Sequence, residues 1–214
     1  MRLARTSLAL AFGVALLAPT AAEAQTRRAP ARTAQAAAPV AIPAGTYALD
    51  PAHSNFNFSI QHMGLNDVTG AFRQTAGTIT IGAGGLRSLQ ATATAQVASI
   101  DTRVEPRDNH LRSADFFDAE NHPTLTFTST GVSHVRGNTF RLLGTLTIRG
   151  TSRPVVLDAV YKGTAVQPAQ MGGKRLVGFT ATTVVNRHDF GISYGPDMIG
   201  RTVRIVINAQ AQLQ

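Results

Sequence analysis

Between His53 and His62 the chain alternates with a period of two. Phe56, Phe58 and Ile60 fall on one side and Asn55, Asn57, Ser59 and Gln61 on the other. A helix brings a face round every 3.6 residues or so, so this pattern specifies a strand with one apolar face. The pattern returns at 89–100, where Ala91, Ala93, Ala95 and Val97 oppose Thr92, Thr94 and Gln96. It returns again at 138–148 (Phe140, Leu142, Leu146, Ile148), at 155–161 and at 202–213. Residues 45–51, 70–81, 124–129 and 175–186 also read as strands, the last apolar on both faces. Turns or loops separate them at 63–69, 82–85, 150–154 and 167–174, and 187–200 is irregular, with Gly191, Gly195 and Pro196. About eight strands with hairpin-like connections and no βαβ alternation disfavour a parallel α/β fold. An antiparallel barrel or sandwich remains. Ala, Gly and Thr between the large apolar residues suit a lumen better than a tight core, and about eight strands make a barrel that holds one apolar ligand.

The first 24 residues stand apart from this pattern. Arg2 and Arg5, an apolar run from Leu8 to Ala18 and the small-x-small site Ala22-Glu23-Ala24 read as a secretory signal cleaved near Ala24. The apolar run is too short to span a bilayer, which predicts a mature protein without stable membrane insertion. Residues 25–43 are rich in Ala and Pro, carry three arginines and no acid, and read as a disordered linker. Residues 44–214 are enough for one domain. The chain's net charge of +8 is divided accordingly. The signal holds Arg2, Arg5 and Glu23, the linker Arg27, Arg28 and Arg32, so half of the excess lies outside the domain. That balance gives no basis for nucleic-acid binding. There is no cysteine, which removes disulfides, thiolate metal sites and cysteine nucleophiles. Core packing and sheet ladders alone must hold an exported domain.

One stretch breaks the alternation. Residues 104–123 concentrate acids, two histidines and the pair Phe116-Phe117. Residues 105–114 can be helical, Ser113 can cap a second short turn, and Asn121-His122-Pro123 ends the segment. The expectation is a helical cap across one end of the barrel. His110, His122, Asp115, Asp118 and Glu120 are zinc-ligand types, but no His-x-x-x-His or His-Glu-x-x-His spacing joins them. Ser113, His110 and Asp115 lie close in sequence without a Gly-x-Ser-x-Gly elbow. Asp115 and Asp118 would lie about one turn apart on a helix, which describes a solvated face better than a sugar cleft. The carboxylates therefore read as local caps, and no catalytic residue or metal site is assigned.

Six segments taken together resemble the YceI-like family. They are TYALDPAHSNFNFSIQHMG at 46–64, TGAF at 69–72, RDNHLRSADFFDAENHPTLTFTST at 107–130, GTLTIRGTSRPVVLDA at 144–159, GGKRLVGF at 172–179 and NRHDFGI at 186–192. The resemblance spans roughly residues 45–212. It implies an elongated, lipocalin-like eight-stranded antiparallel barrel in the periplasm with a short helical insertion. It also implies storage or transport of an isoprenoid lipid, a polyprenyl phosphate or a quinone-type tail, in the lumen. No enzymatic activity and no cofactor other than the bound lipid are implied, and a homodimer is left open. A structural or stress-related interaction protein with a filled barrel is the alternative.

Lipid binding needs only an apolar lumen and a polar mouth. Candidates to line the lumen are Phe56, Phe58, Ile60, Val97, Phe116, Phe117, Phe127, Leu142, Leu146, Leu157, Phe179, Val203, Ile205 and Ile207. Alternation does not choose between the inner and outer faces of a strand, so a packed core of the same residues is the competing reading. A phosphate head group needs donors. Candidates are His110 and Arg112 in the cap and His53 and His62 at the ends of the first long strand. The plainer reading of each histidine is a local hydrogen bond at a strand end or on the surface. Arg112 can equally pair with Asp108 or Asp115.

Overall fold

The structure is a computed structural model that describes residues 41–214; the expected signal segment and residues 25–40 of the expected linker lie outside the described residues. The alternating segments form one closed antiparallel sheet. Three of its staves are broken in two. The first is β1 (Gly45–Leu49) with β2 (Asn55–His62), the second β3 (Asn66–Phe72) with β4 (Thr75–Ile81), and the third β5 (Gln90–Gln96) with β6 (Ile100–Asp101). β7 (Thr124–Arg136), β8 (Thr139–Ile148), β9 (Thr151–Val166), β10 (Arg175–Asn186) and β11 (Ile199–Leu213) complete eight staves in up-and-down order. The last stave closes the barrel against both halves of the first. β11 pairs with β2 over Ile199–Asn208 and with β1 over Ala211–Leu213.

Where a stave breaks, backbone groups lose their ladder partners, and serine hydroxyls replace them. At the β1–β2 break, Ser54 Oγ accepts from Gln210 N–H at 3.0 Å and donates to Gln210 O at 3.1 Å. At the β3–β4 break, Gln74 N–H donates to Ser99 Oγ at 3.0 Å. Beside the register shift in β7, Ala91 N–H donates to Ser129 Oγ at 2.8 Å. Asp50 fixes the first break from inside the corner. It accepts from Ala52 N–H at 3.0 Å, from His53 Nδ1 at 2.8 Å and from Gln212 Nε2 at 2.9 Å. Burial alone would raise its pKa, but these hydrogen bonds and the neighbouring His53 outweigh it and hold the carboxyl below its ordinary value.

One end of the barrel is filled. Tyr47, Ile79, Ile81, Phe140, Leu142, Leu157, Tyr161, Val177 and Phe179 pack there, with Ile42, Leu86 and Leu89 beneath them. The Tyr47 hydroxyl donates to Pro43 O at 2.9 Å, so the entering chain is part of the seal. The other end is covered by α1 (Glu105–Arg112) and the turns that follow it. No helix among the described residues is long and apolar enough to cross a membrane.

Several boundaries differ from expectation. β3 begins at Asn66, inside the expected turn, and continues to a break at 73–74 rather than running unbroken to 81. β7 continues to Arg136 because register shifts at 129–131 and 133–136 scramble its alternation without ending its pairing. Pro154 stands within β9, not in a turn. This part of β9 has left β10 and pairs with β8 alone, so the proline is tolerated. The helix stops at Arg112, and Ser113 closes it, its Oγ donating to His110 O at 2.8 Å; as expected, the same Oγ also caps the short turn that follows, accepting from Asp115 N–H at 3.3 Å.

Two glycines set the width of the lumen. A Cβ on Gly144 would lie 2.4 Å from the Phe127 ring, and one on Gly70 would lie 2.4 Å from the Phe58 ring. Each ring occupies the space that a side chain on the glycine of the adjoining strand would fill. Gly144→Ala is therefore expected to destabilise the fold by about 1–3 kcal/mol through overpacking, read by chemical denaturation. Unchanged stability would show that Phe127 moves freely. Asp50→Ala should cost about 1–3 kcal/mol near neutral pH by leaving three donors unpaired. Because the folded carboxyl has the lower pKa, the charge-linked part of its contribution is present above about pH 4 and lost as pH falls through the folded value. The gap in melting temperature between wild type and Asp50→Ala should thus narrow on acidification, and a constant gap would contradict the linkage.

Candidate functional site

Between the packed base and the cap lies a cavity of about 350 Å³. The barrel is therefore not filled. Inward residues of nearly every stave form its wall: Phe56, Phe58 and Ile60 from β2, Phe127 from β7, Leu146 from β8, Leu157 from β9, and Val203, Ile205 and Ile207 from β11. Phe116 and Phe117 line it from the cap. Ala93 and Ala95 contribute from β5, and their small side chains leave the space that larger ones would fill. The wall is carbon almost throughout.

Three residues expected in the lining lie elsewhere. Leu142 and Phe179 belong to the packed base, where Phe179 contacts Phe140 edge-on at 6.2 Å and Tyr161 at 5.4 Å between ring centres. The lumen does not extend past that aromatic cluster. Val97 is buried in the one-turn break between β5 and β6, where its N–H donates to Pro123 O at 2.8 Å. The alternation of β5 stops there, and Val97 leaves the lumen wall.

The cap is fixed by hydrogen bonds from its own charges. Buried Asp108 accepts from the Thr102 N–H at 2.9 Å and from the Thr102 hydroxyl. Arg107 donates to Thr102 Oγ1 at 2.7 Å and Thr102 O at 2.8 Å. Arg112 donates to Ala98 O at 3.1 Å and Ile100 O at 3.0 Å, and pairs with Glu105 and Asn109 instead of Asp108 or Asp115. It is thus a clasp between α1 and the third stave and does not face the cavity. His53 is also removed from the lumen. Its ring is 61% exposed at the β1–β2 corner, against Asp50.

His62 and His110, by contrast, both border the cavity. His110 Nε2 lies 2.8 Å from Asp115 Oδ2, and its ring packs edge-on against Phe116 and Tyr194 at 5.0 and 4.9 Å between centres. The Ser113 hydroxyl is engaged by the His110 carbonyl, so serine, histidine and aspartate do not form a relay. Among the described residues, no group of three histidine or carboxylate side chains converges on a point.

Sequence reasoning missed a second lid. After β10 the chain makes a one-turn helix at Arg187–Phe190 and then a loop, and Phe190, Ile192 and Tyr194 reach the cavity. Buried Arg187 holds this loop. It donates to Gly200 O at 2.8 Å, Ile192 O at 3.1 Å and Ile199 O at 2.9 Å. Burial lowers its guanidinium pKa, and the charge of Arg201 adds to the effect. The lid is irregular backbone, so no period marks it. The only sequence signal is an arginine beside Asp189-Phe190-Gly191.

The YceI-like domain matches residues 47–211 of the chain. A UPF0312 protein of Staphylococcus epidermidis is 34% identical over 167 residues, covering 75% of this chain and 94% of that protein. Two solved structures share the fold. BcnA of Burkholderia cenocepacia has a TM-score of 0.67 at 22% identity, over 76% of this chain and 99% of that one. A polyisoprenoid binding domain from Saccharophagus degradans, described as implicated in plant cell wall breakdown, has a TM-score of 0.59 at 16% identity, over 80% and 100%. With a family match across nearly the whole barrel and relatives of this identity, the chain belongs to the YceI-like family.

Proposed function

We propose that the protein is exported to the periplasm, binds one isoprenoid lipid non-covalently in its lumen, and stores or carries it without chemical change. The observation that carries this reading is the carbon-lined cavity of about 350 Å³ between a sealed base and a capped mouth. Its size falls in the range of about 300–1,000 Å³ common for small-molecule sites. The naming of a polyisoprenoid binding domain among proteins of the same fold agrees with it. Each methylene taken out of water contributes about 0.8 kcal/mol. Ten chain carbons then offer about 8 kcal/mol before ordering costs, which sets a Kd on the order of 1 µM as the upper limit of affinity from that length, and each further buried carbon tightens it. The chain lies along Phe58, Phe127, Leu146 and Ile205, and a phosphate or quinone head meets His62 and His110 at the mouth.

Organic extraction of the purified protein followed by mass spectrometry should yield a prenyl-chain lipid. Absence of any such lipid, even after incubation with a polyprenyl phosphate and with a quinone, would overturn the proposal. Ala93→Leu adds three carbons to the lumen at a wall position. It should lower retained lipid at least ten-fold while a cooperative melt shows the barrel intact. Undiminished lipid in a folded Ala93→Leu protein would place the ligand elsewhere.

A further inference from the structure

The two ends of the barrel differ in charge. Chain direction places segments 63–65, 102–123, 149–150 and 187–198 at the mouth, where seven acidic side chains face five arginines. The sealed base is different. Segments 82–89, 136–138 and 162–175 carry Arg87, Arg136, Lys162, Lys174 and Arg175 and no acidic side chain. All five cations are exposed, and none forms an ion pair among the described residues. The chain also enters the barrel at this end, through Ile42 and Pro43.

Two large apolar side chains accompany the cations. β9 and β10 extend beyond the β7–β8 turn as a hairpin. Val166 at the end of β9 is 66% exposed, and Met171 in the hairpin loop is 64% exposed. Basic side chains alone would suit any polyanion. Basic side chains around an exposed apolar tip suit a bilayer surface, where anionic head groups attract the charges and the interface takes up the apolar groups.

We propose that the sealed base docks on the surface of an anionic phospholipid bilayer, with Met171 entering the interface. Base docking points the mouth away from that surface, toward soluble partners. The proposal concerns the outside of the base and holds whatever fills the lumen.

Co-sedimentation with vesicles tests it, using the protein as the cell processes it. The protein should pellet with vesicles containing phosphatidylglycerol, not with pure phosphatidylcholine, and added salt should release it. K174E/R175E and M171D should each weaken binding at least five-fold. L65D, at the rim of the mouth, should leave it unchanged. Equal binding to both vesicle types, loss of binding in L65D with the base variants unaffected, or no effect of any base variant would each overturn the proposal. So would retention on heparin without binding to vesicles, which would assign the base to a polyanion.

Discussion

The barrel depends on one strand finding partners on both sides along most of its length. β11 pairs with β10 from Thr202 to Gln212, while its other edge meets β2 and then β1. Without cysteines, nothing covalent holds the first stave to the last. Closure leaves little free sheet edge, at β6 and the start of β3, and encloses a space whose filling is decided by side-chain size. At the base, Tyr47, Phe140, Tyr161 and Phe179 fill it. Toward the mouth, Ala93 and Ala95 do not, and Gly70 and Gly144 leave space that the Phe58 and Phe127 rings occupy. The same ladder thus supports a solid core and a lumen.

Three of the eight staves, β1–β2, β3–β4 and β5–β6, break between the packed base and the open lumen, while the other five run through. Serines at 54, 99 and 129 supply hydrogen bonds at or beside these irregularities, and the Asp50 corner ties the first break to Gln212 on β11. These polar residues hold register where the ladder is incomplete.

Much of the wall is legible from alternation, because the period-two apolar residues of β2 and β11 border the cavity. Phe58, Leu146 and Ile205 lie on apolar faces that alternation picks out, and they border the cavity. Alternation marks a face but neither its inward direction nor its depth along the barrel, so Leu142 and Phe179 share the same signal although they belong to the base. Depth depends on which strands meet at that level, and sequence spacing does not encode it. The lid formed by Phe190, Ile192 and Tyr194 left no periodic trace because its backbone is irregular.

The charged insertion shows why dense polar residues need not make an active site. Asp108 and Arg107 both close on Thr102, Arg112 closes on the third stave, and Ser113 closes on its own helix. A cap without a ladder of its own needs these bonds to stay over an apolar space. Once they are made, polar atoms form only a small part of the cavity wall, which Arg107, His62, His110 and Arg187 border among many apolar side chains. A site with so few directed groups discriminates poorly by hydrogen bonding and well by the length and branching of an apolar chain. The chemistry of recognition therefore lies in the shape of the lumen that the phenylalanines and alanines leave.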